Sequence, residues 1–119
     1  MQSLIVERNV FFGTGGFNEN MRYAEDSDLL CRQAERSGLY YVDDELVCVG
    51  HGKNPFGEKG LSADLARMHK GFRANIRGCL KRGSISRSEY VVFLLLEELK
   101  YLRRILISAG IKKHNTGER

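Results

Sequence analysis

The chain has 119 residues, of which 42% are hydrophobic and 29% charged, a composition typical of a globular domain. This length allows one domain with its own core and excludes two full domains. The net charge of +4 is unevenly divided, because the first 50 residues carry 4 basic and 9 acidic side chains and the remainder carry 15 and 6. An acidic front and a basic back therefore indicate two parts with different roles.

The cysteines and the hydrophobic runs restrict the compartment. Cys31, Cys48 and Cys79 are odd in number, widely spaced and form no C-x-x-C pair, so they predict neither a disulfide framework nor a zinc site. The first residues lack the basic start and long apolar stretch of a signal peptide, and the longest apolar run, Tyr90–Leu96, is too short for a membrane span. We expect a cytoplasmic location, which includes the cytoplasmic face of the membrane.

The acidic front predicts short strands and one helix. Strands are predicted at Leu4–Val6, Leu39–Val42 and Leu46–Val49, with a tight glycine-rich loop after the first of them. Between the loop and the second strand, Ser27 is a capping residue and Gly38 a stop signal. These signals predict a helix of about three turns.

The basic back predicts two helices. From Ser62 to Arg82 apolar residues recur at helical spacing, and the opposite face is basic, with Arg67, Lys70, Arg73, Arg77 and Lys81. Gly83 ends this helix, and the capping box of Ser86 and Glu89 starts another that runs to about Ala109 and Gly110. Around residues 90–96 the second helix is apolar on every side, so it needs cover from a core, a partner or a membrane surface.

Four short motifs follow one another over about residues 3–52. They are Gly15-Gly16-Phe17-Asn18-Glu19, Glu25-Asp26-Ser27-Asp28-Leu29, Gly38-Leu39-Tyr40-Tyr41-Val42 and His51. This ordered set resembles the C-terminal part of the catalytic domain of family 2 glycosyltransferases, which have the GT-A fold. Each motif alone is weak, whereas the ordered set is specific. The resemblance does not extend to the basic helices.

The resemblance implies an inverting sugar transfer in which Asp26 is the base. Such a reaction needs a group that takes the proton of the acceptor hydroxyl, and a carboxylate at a helix start is held ionised by the helix dipole. Glu25 would orient the acceptor or hold Asp26 in place. Asp28 would lie on the substrate side, although a capping charge is the stronger interpretation.

The same resemblance implies substrate and metal contacts. Gly15, Gly16 and Phe17 would line the acceptor side, with Phe17 packing under the loop. His51 would complete the shell of a divalent cation, Mg or Mn, or contact the diphosphate, and a surface histidine is an equally good interpretation.

The triplet Asp26-Ser27-Asp28 is also a literal D-x-D, the pattern that holds the metal in GT-A enzymes. We reject this assignment, because the metal-binding pattern follows a buried apolar strand and this triplet opens a predicted helix. The donor-binding strands and the true D-x-D would therefore lie upstream of residue 1.

Together these observations predict an α+β fold. Residues 1–61 would be the C-terminal portion of a GT-A catalytic domain with a few short strands, and residues 62–119 a helical extension. The chain would carry the acceptor and base half of an enzyme that uses a nucleotide-sugar donor and a sugar or lipid-linked acceptor. It would be inactive alone, because a complete domain of this kind is longer.

The alternative function is a non-catalytic interaction module. The helices would pack on each other, on the rest of an enzyme or on a second copy as a homo-oligomer. Peripheral membrane contact is the next interpretation, because a basic face opposite an apolar one suits anionic lipid. Nucleic-acid binding comes last, since no recognised nucleic-acid motif accompanies the basic face.

Overall fold

Helices are the only regular secondary structure in the part of the chain that the structure describes. A computed structural model describes residues 4–44 and 63–116, and about 70% of these residues lie in four helices, with no strand among them. The helices are α1 (Arg8–Gly13), α2 (Glu25–Ser37), α3 (Leu65–Arg82) and α4 (Arg87–Thr116). The predicted α+β class, with its partial GT-A unit, is therefore wrong.

Two of the predicted strands are absent for a physical reason. Leu4–Val6 and Leu39–Val42 are both irregular, and Tyr40 and Tyr41 are 96% and 89% exposed. A β-prone segment becomes a strand only when a second segment takes up its backbone hydrogen bonds and covers one face, and neither segment has such a neighbour in the described part. The third predicted strand, Leu46–Val49, lies outside the described residues.

Helix α2 begins two residues before the predicted cap. Its N-cap residue is Ala24, which has a left-handed φ of 58°, and the Asp28 N–H donates to the Ala24 carbonyl at 3.1 Å. Ser27 therefore lies inside the helix, and its role as the cap was predicted wrongly. The C-terminal end was predicted correctly, because Gly38 caps α2 with a φ of 75°.

The ends of α3 follow local capping rules. Its N-cap, Asp64, accepts a hydrogen bond from the Arg67 N–H at 3.0 Å, two residues beyond the predicted Ser62. Gly83 ends the helix with a φ of 76°, as predicted. The basic face is also confirmed, because its five arginines and lysines are all exposed.

Helix α4 starts as predicted and ends later. The capping box is present, since the Glu89 carboxylate accepts from the Ser86 N–H at 2.7 Å and the Ser86 Oγ accepts from the Glu89 N–H at 3.2 Å. The predicted end at Ala109 and Gly110 is wrong, because α4 continues to Thr116. A glycine inside an exposed helix costs only about 1 kcal/mol relative to alanine, so it does not have to end one.

The helices pack in sequence, α1 on α2, α2 on α3 and α3 on α4. The α3–α4 contact is unusually polar. His69 of α3 is 8% exposed, stacks on Tyr101 with ring centres 4.1 Å apart and lies 3.4 Å from the Glu97 carboxylate. Arg104 donates to the same carboxylate at 3.0 Å.

Contacts between α2 and α3 connect the two predicted domains. The side-chain amide of Asn75 donates to the Ala24 carbonyl at 2.9 Å, which supports the left-handed N-cap of α2. At the other end, Arg82 forms a two-point contact with Glu35 at 2.8 to 3.1 Å, and this hydrogen bonding lowers the pKa of Glu35. The boundary between residues 61 and 62 stays a prediction, because both residues lie outside the described part.

Gly71 permits the close approach of α3 to the segment before α2. A Cβ atom at this position would lie 2.6 Å from the Tyr23 carbonyl oxygen, and a backbone atom cannot turn away as a side chain can. We predict that Gly71→Ala lowers the free energy of unfolding by roughly 2 kcal/mol in urea titrations. Gly110→Ala is the control, because a Cβ there meets nothing within 4 Å and the helix gains propensity. Equal stability of the two variants would contradict the close approach.

Candidate functional site

The centre of the site is the guanidinium group of Arg32. It extends from α2 to the glycine-rich loop, where it donates to the carbonyl of Thr14 and, at 2.8 Å, to the carbonyl of Gly16. Its Nε also donates to Asp28 Oδ2 at 2.9 Å. Gly15 and Gly16 both have positive φ, 85° and 62°, so the turn that Arg32 holds is one that glycines adopt readily.

Asp28 is the buried counter-charge of Arg32. It is 6% exposed, and its second oxygen lies 3.9 Å from the guanidinium group of Arg82. A carboxylate between two arginines keeps Arg32 in place and fills most of its own hydrogen-bonding capacity. The substrate role of Asp28 stays a prediction, and its visible role is to position the loop.

Asp26 lies on the other side of the same helical turn. Its Oδ1 accepts from the Ser27 N–H at 2.8 Å, and its side chain lines a cavity of about 240 Å³. The other lining residues are Leu4, Val6, Phe11, Phe17 and Leu29. Two of the predicted site residues, Asp26 and Phe17, are therefore brought together in an otherwise apolar cavity.

The other predicted loop residues have different surroundings. Gly16 is buried against the ring of Phe11, at 3.3 Å from the position of an added Cβ. Gly15 lines a second, more open hollow of about 490 Å³, which it shares with Phe17, Asn18, Glu19, Asn20 and Arg32. Phe17 therefore stands between the two hollows, and Gly15 belongs to the open one.

Glu25 does not join Asp26 in the cavity. Successive residues on a helix point about 100° apart, and Glu25 is not among the lining side chains. A direct contact of Glu25 with an acceptor in this cavity is therefore not part of the observed arrangement. Its predicted role as a neighbour of Asp26 stays a prediction.

The described residues do not fit the implied divalent cation. Residues 4–44 and 63–116 contain no group of three or more histidine, cysteine, aspartate or glutamate side chains that could hold a metal ion. Asp28 pairs with arginines, which makes the Asp26-Ser27-Asp28 triplet a poor cation site. His51, the predicted metal or diphosphate residue, lies outside the described residues.

Sequence reasoning missed two residues that shape this region. Arg32 had a local signal, because it follows Asp28 by four residues and such a pair is adjacent on a helix. Asn75 had none, because its partner at Ala24 is 51 residues away in the chain. A buried amide that supports a distant backbone turn has no sequence pattern of its own.

A third cavity, of about 440 Å³ and mostly apolar, lies between α2, α3 and α4. Its lining includes the free cysteines Cys31 and Cys79, and Asn75, whose Oδ1 has no hydrogen-bond partner among the described residues. Burial raises the pKa of Cys31 to about 11, and the neighbouring Cys79 adds to the increase. Cys31 is therefore a neutral thiol near pH 7, which does not suit a nucleophile.

Comparisons with known proteins give no assignment. No protein-family model, no curated protein and no solved structure matches this chain. Within the described residues no helix is long and apolar enough to cross a membrane.

The role of Arg32 can be tested by a conservative substitution. A lysine in place of Arg32 keeps the charge but cannot hold Asp28 and two carbonyls at once, so we predict that Arg32→Lys lowers the free energy of unfolding by about 2 kcal/mol. Arg36→Lys is the matched control, because Arg36 is exposed and contacts only the Gly13 carbonyl, so its loss is less than about 0.5 kcal/mol. Urea unfolding measures both free energies. Equal losses would contradict the role of Arg32 in holding Asp28 and the two loop carbonyls together.

Proposed function

We propose that this chain takes part in inverting sugar transfer and that Asp26 is the base that activates the acceptor hydroxyl. The observation that carries the proposal is the cavity that Asp26 and Phe17 both line. The irregular segment before α1, helices α1 and α2 and the loop between them build this cavity, so the proposal needs no β-sheet. The order of the motifs, from the Gly15-Gly16-Phe17 loop to the start of α2, supports the same function by resemblance.

The chemistry of Asp26 follows from its position in the first turn of α2. The Ser27 N–H donates to the Asp26 carboxylate at 2.8 Å, which helps to fix the orientation of the side chain. In the proposed reaction this carboxylate takes the proton of the acceptor hydroxyl as the oxygen attacks the anomeric carbon. The new glycosidic bond forms as the bond to the nucleotide diphosphate breaks on the opposite face, which inverts the anomeric configuration.

Phe17 would form the surface on which the acceptor sugar rests. The ring is 52% exposed and packs edge-on against Phe11, with ring centres 5.6 Å apart. An aromatic face held from behind suits the apolar C–H face of a pyranose, and a nearby carboxylate suits its hydroxyl groups. The acceptor would be a sugar or the sugar of a lipid-linked molecule.

Only the resemblance to family 2 glycosyltransferases supports the choice of donor. It would be a nucleotide sugar, and since the described residues do not fit a divalent cation, no step is assigned to one. A cytoplasmic site of action, at or near the inner face of the membrane, agrees with the free thiols of Cys31 and Cys79. We expect no donor turnover by these 119 residues alone, so transfer is measured on a chimera in which these residues replace the matching part of a complete family 2 glycosyltransferase.

Acceptor binding can be tested on the chain itself with methyl glycosides of glucose, galactose, mannose and N-acetylglucosamine. Saturation-transfer NMR is expected to show at least one of them bound, and Phe17→Ala is expected to weaken it about tenfold through loss of the ring face. Phe12→Ala is the matched control, because Phe12 is similarly exposed at 65% and packs on the same Phe11 without lining the cavity. Binding of none of the sugars, or equal loss in both variants, would contradict an acceptor site.

The base is tested by Asp26→Asn, which keeps the shape of the side chain and its capacity to accept from Ser27. Sugar transfer is expected to fall by about 10²- to 10⁴-fold, because the amide cannot take the proton of the acceptor hydroxyl. Asp43→Asn, at an exposed position outside the cavity, is the control and should transfer at the parental rate. Normal transfer by the Asp26 variant would show that another group is the base.

A further inference from the structure

Helix α4 presents most of its leucines to solvent. Four of them and a valine are more than half exposed at spacings of three and four residues, and we call the following set the seam: Val92, Leu95, Leu99, Leu102 and Leu106, which are 52% to 72% exposed. The side that packs on α3 carries the polar residues Glu97, Tyr101 and Arg104, and Phe93 and Leu96 line the cavity beside it. The apolar face of α4 therefore has no cover in the described part of the chain.

The spacing of the seam specifies the geometry of a partner. Alternating steps of three and four residues repeat every 3.5 residues on average, which is the period at which two helices stay in contact along a shallow supercoil. Val92, Leu99 and Leu106 occupy one core position of the repeat, and Leu95 and Leu102 occupy the other. Valine at the first position with leucine at the second, as at Val92 and Leu95, favours a two-stranded parallel pair.

Two charges flank the seam on opposite sides. At about 100° per residue, Glu98 and Arg103 lie roughly 70° to either side of the middle of the seam. In a parallel pair in register, residues with this spacing of five meet across the interface, so each Glu98 faces Arg103 of the other copy. An antiparallel pair centred on the seam would instead set Glu98 against Ile105 and Arg103 against Leu96.

The contacts within one chain leave Glu98 and Arg103 able to pair with a second copy. Arg103 has no ion-pair or hydrogen-bond partner among the described residues, and the side chain of Glu98 is 44% exposed. The contacts that Glu98 does make, with His69 at 3.2 Å and Arg73 at 3.5 Å, both use Oε1 and both come from α3. Since α3 lies on the polar side of α4, a guanidinium group can approach Glu98 from the seam side.

We propose that the seam binds a second copy of this chain, with the two α4 helices parallel and in register. The dimer buries the seam twice and forms two Glu98–Arg103 pairs related by a twofold axis. The dimer also adds buried apolar surface. Within one chain, Ala24 and Leu29 are the only apolar residues fully buried in the described part. The proposal is independent of sugar transfer.

The first test is the mass of the chain in solution by sedimentation equilibrium. The expected mass is twice the 13.5 kDa of one chain. Leu99→Asp puts a charge in the seam and should raise the dissociation constant by about a hundredfold or more, whereas Lys100→Asp, next to it and off the seam, should leave it near the parental value. A parental chain with the mass of a monomer would overturn the proposal, and flotation of that monomer with phosphatidylcholine–phosphatidylglycerol vesicles would assign the seam to lipid.

The second test reads the register through charge reversal. Arg103→Glu sets like charges opposite each other and should raise the dissociation constant about tenfold, and Glu98→Arg should do the same. Mixed together, the two variants should form a heterodimer that is tighter than either homodimer, because opposite charges again meet. A mixture no tighter than its components would exclude the Glu98–Arg103 contact. Arg103→Glu breaks no contact within the chain, so its effect does not depend on folding.

A cross-link tests the parallel orientation directly. In register, the two copies of residue 99 face each other, so Leu99→Cys should form a disulfide-linked dimer in a glutathione redox buffer. The parental chain, with its native cysteines, and Lys100→Cys, off the seam, should form much less. Dimers without preferential cross-linking at residue 99 would overturn the parallel arrangement.

Discussion

The pairing of Asp28 with Arg32 is the interaction on which the proposed site depends. Both residues lie on one face of α2, and the buried carboxylate holds a guanidinium group that in turn holds two loop carbonyls. The loop then directs Phe17 toward the first turn of α2, where Asp26 is found. A structural ion pair on one side of the helix therefore shapes a cavity on the other side, and it does so without a β-sheet.

The α3–α4 pair has the reverse arrangement of an ordinary helical hairpin. His69 and Glu97 are buried between the helices, while the leucines of α4 face outward. Burial of ionisable groups stabilises a fold only when their partners are in place, and Arg104 and Tyr101 supply them here. Such an interface specifies how the helices are aligned but buries little apolar surface. The outward leucines remain available to add the missing apolar burial through a partner.

Sequence reasoning succeeded where the determining contacts are local. Gly38, Gly83 and the capping box of Ser86 and Glu89 act within one helical turn, and each was predicted correctly. The strand predicted at Leu39–Val42 failed because strand formation depends on a partner that local sequence does not specify. The start of α2 failed for a similar reason, since Ala24 takes up its left-handed conformation with support from Asn75 of α3.

The candidate site also has features that depend on local contacts and features that depend on distant ones. The neighbourhood of Asp26 and Phe17 could be predicted, because it depends on a helix start and a glycine turn only about ten residues apart. The separation of Glu25 from the cavity follows from the true start of α2, which the distant Asn75 contact supports. The wrong strands do not contradict the proposed base, because the described cavity that Asp26 and Phe17 line takes only the apolar wall at Leu4 and Val6 from a predicted strand. That wall needs only apolar side chains, and an irregular segment provides them as well as a strand would.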